Sequence, residues 1–317
     1  MTIYIIGAGN IGRRHLQSTL LLSESFNIYV VETNPDNLNQ AKSIIAKTKN
    51  KDVLSNYFFE TLLPENKKID LLYLATTAIN RFQLFTIIIK KNVVSNVIFE
   101  KVIFQIPEQY QKCQKLLDTF DIKAWVNNWP RTTLHYQKIK NLLAFDKQLT
   151  MKVLGNDWGI ACNLTHYIDL FLYLINQSTI AQPTFYLEKL FDSKRPGFKE
   201  CYGTFSLAIE EKYFLEISDT PRFPKGLQTN IYNGSNVFKI TESNGKILLK
   251  SNLEKISNEL FDEPLQSMTS HIHMQSILTN SFCLLPAYQT VYEWHSIMVN
   301  VLNEAIGIEK GKACPIT

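Results

Sequence analysis

Short runs of consecutive apolar residues punctuate the first 126 residues, and stretches of helical period separate them. The runs are Ile3-Tyr4-Ile5-Ile6, Asn27 to Val31, Asp70 to Ala75, Val94 to Phe99 and Ile122 to Val126, with Tyr57-Phe58-Phe59 as a shorter one. Runs that are apolar without alternation predict strands buried on both faces, as in parallel sheets. Between them, helical spacing is kept by Ile11 to Leu22, by Leu38, Ala41 and Ile45, by the segment from Thr77 through Ile89, and by Tyr110, Cys113, Leu117 and Phe120. Asn34-Pro35-Asp36 supplies a turn and an N-cap, and Pro107 opens the fourth helix. Thr48 to Ser55 is mostly polar and predicts a loop. Regular alternation of strand and helix predicts a doubly wound parallel sheet, an α/β fold.

The pattern changes near Asn127. A helix from Thr132 to Leu143 precedes a second, Asn163 to Ile175, that is apolar almost all round and is therefore expected to be buried. Strand-like runs then follow without helices between them: Thr184 to Leu190, Tyr202 to Ile209, Tyr213 to Ile217, Thr229 to Tyr232, Val237 to Ile240 and Lys246 to Leu249. Asn233-Gly234 and Asn244-Gly245 are hairpin turns by their chemistry. A mainly antiparallel sheet in an α+β domain is predicted, with a closing helix from about Ala287 to Ala305. The expected division is a doubly wound α/β domain over 1–126 and an α+β domain over 127–317.

The first strand runs into Gly7-Ala8-Gly9-Asn10-Ile11-Gly12, the spacing G-x-G-x-x-G. Gly7 permits the tight turn, Gly9 leaves room for a pyrophosphate against the backbone, and Gly12 lets the next helix pack close to the sheet. The helix N-terminus, with Asn10 and Ile11, points unpaired N–H groups at phosphate oxygens. Glu32 stands at the end of the second strand, twenty residues past Gly12, where an acid takes the ribose hydroxyls. An anion there repels a 2′-phosphate, so NAD is expected over NADP; Arg13 and Arg14 at the start of the first helix work against that preference. The other residues at the carboxyl ends of the strands, where ligands of such sheets collect, are Thr76-Thr77, Glu100-Lys101 and Asn127-Asn128.

Composition narrows the class. A hydrophobic fraction of 45% in 317 residues supports a sizeable core, and a net charge of +4 without a basic tract argues against nucleic acid. Five cysteines, an odd number with no C-x-x-C, argue against a disulfide framework or a zinc site. The chain enters its first strand at once, leaving no room for a signal peptide, and its most apolar segment, Ile168 to Ile175, is too short to span a bilayer. A cytoplasmic protein with no membrane partner is expected.

The ordered set of motifs resembles the Gfo/Idh/MocA oxidoreductases, which include inositol dehydrogenases, glucose–fructose oxidoreductase and many sugar or nucleotide-sugar dehydrogenases. Gly7 through Leu16 is similar to that family's G-x-G-x-x-G-x-x-H-L, Ala75-Thr76-Thr77 to its A-T-P loop and Glu100-Lys101-Val102 to its E-K-P motif. Arg131 falls where the family has an Arg after the sixth strand, His166-Tyr167-Ile168-Asp169 resembles its H-x-x-D, and Leu285-Pro286 resembles the approach to its C-terminal helix. The resemblance implies an NAD(P)-dependent dehydrogenase or reductase acting on CH–OH groups of a sugar, polyol or nucleotide sugar. It implies Lys101 and His166 as the catalytic pair, with Arg131, Asn163 and Trp158 beside the substrate and Thr76, Thr77 and Glu100 near the cofactor. It also implies a homo-oligomer, dimer or tetramer. Cys162, Asn163 and Asp169 lie three or four residues from His166 and share its face.

Three positions depart from the family. Val102 replaces Pro, and since a cis peptide is cheap only before Pro, Lys101 is expected to be presented differently. Cys162 replaces the Asp four residues before the His, and Leu134 replaces a Pro. Loss of that carboxylate favours the alternative, a catalytically degenerate dinucleotide-binding regulator or sensor. His271-Ile272-His273 makes a metal pair only on a strand, and no metal is expected. Lys194-Arg195, Arg222 and Lys225 are read either as solvated charge or as an anion-recognising set, and Trp129 and Trp158 either as sugar platforms or as core.

Overall fold

The computed structural model describes residues 1–48, 54–253, 256, 258–263, 265–280 and 283–317. Most of the polar stretch Thr48 to Ser55 lies outside the described residues. The chain forms two compact units.

The first unit is a six-stranded, all-parallel sheet in the order β3-β2-β1-β5-β7-β8. Its strands are β1 (Thr2–Ile6), β2 (Asn27–Val31), β3 (Asn56–Glu60), β5 (Leu71–Leu74), β7 (Asn96–Phe99) and β8 (Lys123–Val126). A two-strand parallel pair, β4 (Lys68–Ile69) and β6 (Val93–Val94), lies at the N-terminal side of β5 and β7. The helices are α1 (Asn10–Ser18), continued by a 3₁₀ turn Thr19–Leu21, α2 (Pro35–Ala46), α3 (Arg81–Lys91) and α4 (Glu108–Thr119). Asn34 caps α2 as expected, its side chain accepting from the Asp36 and Asn37 amides at 2.9 and 3.1 Å. The core is built from Ile3, Ile5, Leu16, Ile28, Val30, Leu71 and Ile98. Strand order reverses between β1 and β5, the position where doubly wound sheets bind ligands.

The unit boundary is not the contiguous one expected from sequence. Unit 1 comprises Met1–Phe104, Gln111–Asn127 and Pro264–Gln289, while Gln105–Tyr110 goes with unit 2. The cause is a helix absent from the sequence reading, α7 (Gln266–Asn280), whose buried Ser270, His273, Met274 and Ile277 pack it into unit 1 against α1. Just beyond, the Val126 amide donates to the Pro286 carbonyl at 3.0 Å, and Ala287 bridges antiparallel to Trp125. The returning chain thus extends the edge of the parallel sheet.

The second unit, Gln105–Tyr110, Asn128–Glu263 and Thr290–Thr317, carries an eight-stranded sheet. Its strands are β9 (Leu149–Asn156), β10 (Thr184–Asp192), β11 (Lys199–Ile209), β12 (Tyr213–Asp219), β13 (Gly226–Asn233), β14 (Asn236–Ser243), β15 (Lys246–Ser251) and β16 (Asn258–Asp262). The order is β10-β11-β12-β9-β13-β14-β15-β16, antiparallel except where β9 pairs with β12. Both Asn-Gly signals are hairpin turns: Asn233 pairs with Asn236 and Ser243 with Lys246, with Asn244 and Gly245 at φ 52° and 71° as a two-residue turn of this kind requires. The shorter α5 (Leu134–Lys140) precedes α6 (Ile160–Ile175), which is buried on nearly every side and packs on β11, β12 and β9. The closing helix is α8 (Tyr288–Ala305).

Candidate active site

At the carboxyl end of β1 the chain turns through Gly7 at φ +95°. A Cβ on Gly12 would stand 1.9 Å from the Gly7 carbonyl oxygen, so helix and turn approach as closely as only glycine allows. A Cβ on Gly9 would meet nothing within 4 Å: space stands open over the loop. Gly9 caps α1 without a side-chain hydrogen bond, and no acid occupies the first turn, where Asn10 and Ile11 are exposed. The uncapped amides therefore face that space with their partial positive charge uncompensated. Thr76, against which Gly7 packs, has a buried Oγ1 with no hydrogen-bond partner among the described residues. Open room, free amides and an orphaned hydroxyl fit a diphosphate; Thr77, next along, is exposed.

Glu32 lies beside this cradle. Its Oε2 accepts from the Ala8 amide at 2.7 Å and its Oε1 from the Asn34 amide at 2.8 Å, which fixes the carboxylate against the glycine loop. Arg13 is bound nearby, donating to the Ala8 carbonyl, Asn37 Oδ1 and Asn10 Oδ1 at 2.8, 3.1 and 2.8 Å. Arg14 is turned to Gln17 and solvent.

At the end of β7, Glu100 is 7% exposed and its carboxylate points into unit 1. Its Oε1 is bound by His15 Nε2 at 2.8 Å, Asn127 Nδ2 at 2.5 Å and the Tyr73 hydroxyl at 3.4 Å, while His15 Nδ1 contacts Ser270 Oγ at 2.8 Å. Burial works to raise the Glu100 pKa, but the hydrogen bond and charge of His15, then Asn127 and the Arg81 charge, hold it below its ordinary value. The carboxylate expected beside the cofactor is thus spent on holding the strand end. Lys101, half-buried, follows directly. The Lys101–Val102 peptide is cis although Val follows, which corrects the expectation of a different presentation.

In unit 2 the structure groups the remaining expected residues around α6. His166 is 6% exposed, with Trp129 edge-on to its ring at 6.0 Å. Arg131 Nη1 pairs with Asp169 Oδ1 at 3.2 Å and its guanidinium stacks 4.4 Å over the Tyr173 ring. Burial raises Asp169 to about 7, the Arg131 charge and hydrogen bond offsetting only part of it. Asp169 Oδ2 and Arg131 Nε are buried without a hydrogen-bond partner among the described residues. Asn163 Nδ2 donates to the Trp158 and Gly159 carbonyls at 2.9 and 3.1 Å, tying down the turn into α6. Trp158 donates its indole N–H to the Ser218 carbonyl at 3.1 Å and sits edge-on to Tyr167, so of its two readings packing accounts for its contacts. Cys162, at the family's Asp position, is half-buried; its amide donates to Glu200 Oε2 at 3.3 Å.

The other constellations come apart. His271 and His273 lie on helix α7, His271 against Ser18 and His273 buried. No group of three or more His, Cys, Asp or Glu is placed to hold a metal among the described residues. Arg222 pairs with Glu188, and Arg195 lies 5.9 Å from the Phe198 ring, so the basic residues do not form one anion site. Sequence reasoning missed Arg81, which is 1% exposed and bonded to the loops after β5 and β7. It also missed Glu200 and Asp219, whose carboxylates cap α6 by accepting from Ala161 and Cys162, and from Gly159 and Ile160. Arg81 carries no sequence signal, because a charged residue opening a helix reads as exposed.

Residues 1–128 match the model of GFO_IDH_MocA, the oxidoreductase family with an NAD-binding Rossmann fold. That segment belongs to the Gfo/Idh/MocA family. Solved structures similar over the whole chain share the fold of such oxidoreductases. One is UDP-N-acetylglucosamine 3-dehydrogenase GnnA from Acidithiobacillus ferrooxidans, 13% identical over 98% of each chain at a TM-score of 0.67. Another is an oxidoreductase from Agrobacterium radiobacter in complex with NAD+, L-tartaric acid and magnesium, 12% identical over 96% of each chain at 0.69. A third is the transcriptional regulator Gal80p from Kluyveromyces lactis, 11% identical over 98% of this chain and 93% of that one at 0.71. No curated protein matches by sequence. The structures that share this chain's fold therefore include both a named dehydrogenase and a named regulator. No helix among the described residues is long and apolar enough to cross a membrane.

Proposed function

We propose that the protein is an NAD-dependent dehydrogenase or reductase acting on a CH–OH carbon of a sugar, polyol or nucleotide sugar in the cytoplasm. The observation that carries this reading is the open glycine cradle with Glu32 fixed at its side. The amides after Gly9 bind the diphosphate, and Glu32, its position set by Ala8 and Asn34, meets the adenosine ribose and disfavours a 2′-phosphate. When bound, the nicotinamide supplies the carbon that accepts or donates hydride. Lys101 and His166 hold and move the substrate's hydroxyl proton, and Arg131 and Asn163 support substrate binding. Helix α6 packs on the eight-stranded sheet, and the edge strand β10 carries Tyr186 at 68% and Leu190 at 38% exposure. These exposed apolar side chains support a homo-oligomer built through the sheet.

A second reading, a dinucleotide-binding regulator, is favoured by Cys162 in place of a carboxylate and by the likeness to Gal80p. Calorimetric titration with NAD and NADP, followed by turnover assays on a sugar and nucleotide-sugar panel, separates the two. The dehydrogenase binds NAD more tightly and turns over at least one compound. Lys101→Met and His166→Ala then each lower kcat by about 10²–10⁴-fold with NAD affinity kept. Cys162→Asp leaves kcat intact or raises it. NAD binding with no turnover across the panel establishes the regulator.

A further inference from the structure

Arg81 opens α3 and yet is 1% exposed. Its Nη2 donates to the Thr76 carbonyl, and its Nη1 to the carbonyls of Glu100, Val102 and Ile103 at 2.6, 2.5 and 2.9 Å. Thr76 lies at the carboxyl end of β5, and Glu100 to Ile103 follow β7. One planar guanidinium therefore holds both loops. Burying a cation costs several kcal/mol unless it is well partnered; here backbone oxygens surround it and the Glu100 charge lies close enough for each to stabilise the other. Helix stability does not explain the residue, because a cation in the first turn opposes the helix dipole. Lys101 sits between two residues, Glu100 and Val102, whose carbonyls the same nitrogen binds.

We propose that Arg81 is a positioning residue: its guanidinium clasps the loops after β5 and β7 and so sets the backbone from which Lys101 is presented at the nicotinamide end of the cofactor site. The inference rests on the dehydrogenase reading for the role of Lys101, but the clasp itself does not. Only a fork-shaped group with several fixed donors spans both loops; a lysine ammonium is a point charge on a flexible stem.

The test uses Arg81→Met and Arg81→Lys in the full chain, with NAD and ADP-ribose as probes. ADP-ribose makes the glycine-loop contacts and lacks nicotinamide. In Arg81→Met, amide exchange in the segment 100–104 speeds up by about tenfold or more while β1 and β2 stay protected. ADP-ribose affinity falls less than NAD affinity, its loss confined to the Thr76 contact, so the advantage of NAD over ADP-ribose is lost. On any substrate the panel yields, kcat falls about 100-fold with KM nearly constant, and Arg81→Lys recovers only part. Unchanged exchange at 100–104 overturns the proposal, and so does exchange raised across the whole of unit 1 in both variants. If wild type binds NAD no better than ADP-ribose, the dehydrogenase reading and the role given to Lys101 both fail, while the local exchange still decides the clasp.

Discussion

Each unit buries a carboxylate beside an arginine, and the two titrate in opposite directions. In unit 1, Glu100 receives His15, Asn127 and Tyr73 and feels the charge of Arg81; its pKa lies below the ordinary value of 4.5. In unit 2, Asp169 has among the described residues one hydrogen-bond partner, Arg131 at 3.2 Å, and an oxygen without one, and its pKa is raised to about 7. Asp219 shows the intermediate case: it accepts three backbone amides, yet burial, helped by the Glu200 charge, still lifts it to about 6. Burial pushes all three upward; the number and charge of the donors decide whether it prevails. Glu100 is thereby suited to a fixed framework, and Asp169 to a group whose charge changes near neutrality.

The largest expected effect is on stability. Glu100→Ala strands the donors of His15 and Asn127 and removes a charge near Arg81, and should destabilise unit 1 by about 3–5 kcal/mol. Asp169→Asn, measured below pH 6 where Asp169 is largely neutral, should cost no more than about 1 kcal/mol. Urea unfolding followed by hydrogen exchange in each unit reads both, and equal losses would erase the contrast. Next come the glycines. Gly12→Ala drives a methyl into the Gly7 carbonyl and should cost about 1–3 kcal/mol or more along with dinucleotide binding. Gly9→Val enters open space, so it should keep the wild-type melting temperature and lose NAD.

The pH dependence should split by unit. Glu100 holds its charge better folded than unfolded, so its stabilisation is full above about pH 4.5 and is lost as pH falls through its lower folded pKa. Asp169 holds its proton better folded, so stability falls as pH rises from about 4 to about 7, the span between its ordinary 3.8 and its folded value. Thermal melts should therefore show Asp169→Asn gaining on wild type across that span and Glu100→Gln losing its disadvantage only in acid. A pH-independent gap for Asp169→Asn would mean the buried carboxyl is ionised throughout. The smallest effect is Gly245→Ala, which at φ +71° should cost about 1 kcal/mol in unit 2 and leave NAD affinity unmoved.

The two units also differ in how much of them could be read from sequence. In unit 1 the apolar runs are uninterrupted because both faces of the central strands β1, β5 and β7 are covered, and the glycines announce the cradle. In unit 2 the Asn-Gly turns mark hairpins, but β9 is harder to read, since Leu154 and Gly155 reverse the alternation that Leu149 to Val153 keeps. Helix α7 has the right spacing at Ser270, His273, Met274 and Ile277, but half of that stripe is polar, so hydrophobic periodicity passes over it. The α6 cap was invisible for another reason: Glu200 and Asp219 are distant in sequence from the amides they satisfy. Local pattern reveals local pairings; partners brought from afar need the fold.

The return of the chain through α7 has a consequence for biosynthesis. When residues 1–127 have left the ribosome, all six strands of the parallel sheet exist, but the helix that covers α1 and the segment that bridges β8 at Trp125 have yet to be made. Until translation passes Gln289, the nascent unit exposes the apolar surface around α1 that Met274 and Ile277 will later cover. A fragment ending at Asn127 should accordingly behave as a client of chaperones, and the N-terminal unit, although begun first, should close only after residues 128–263 of the second unit have been made.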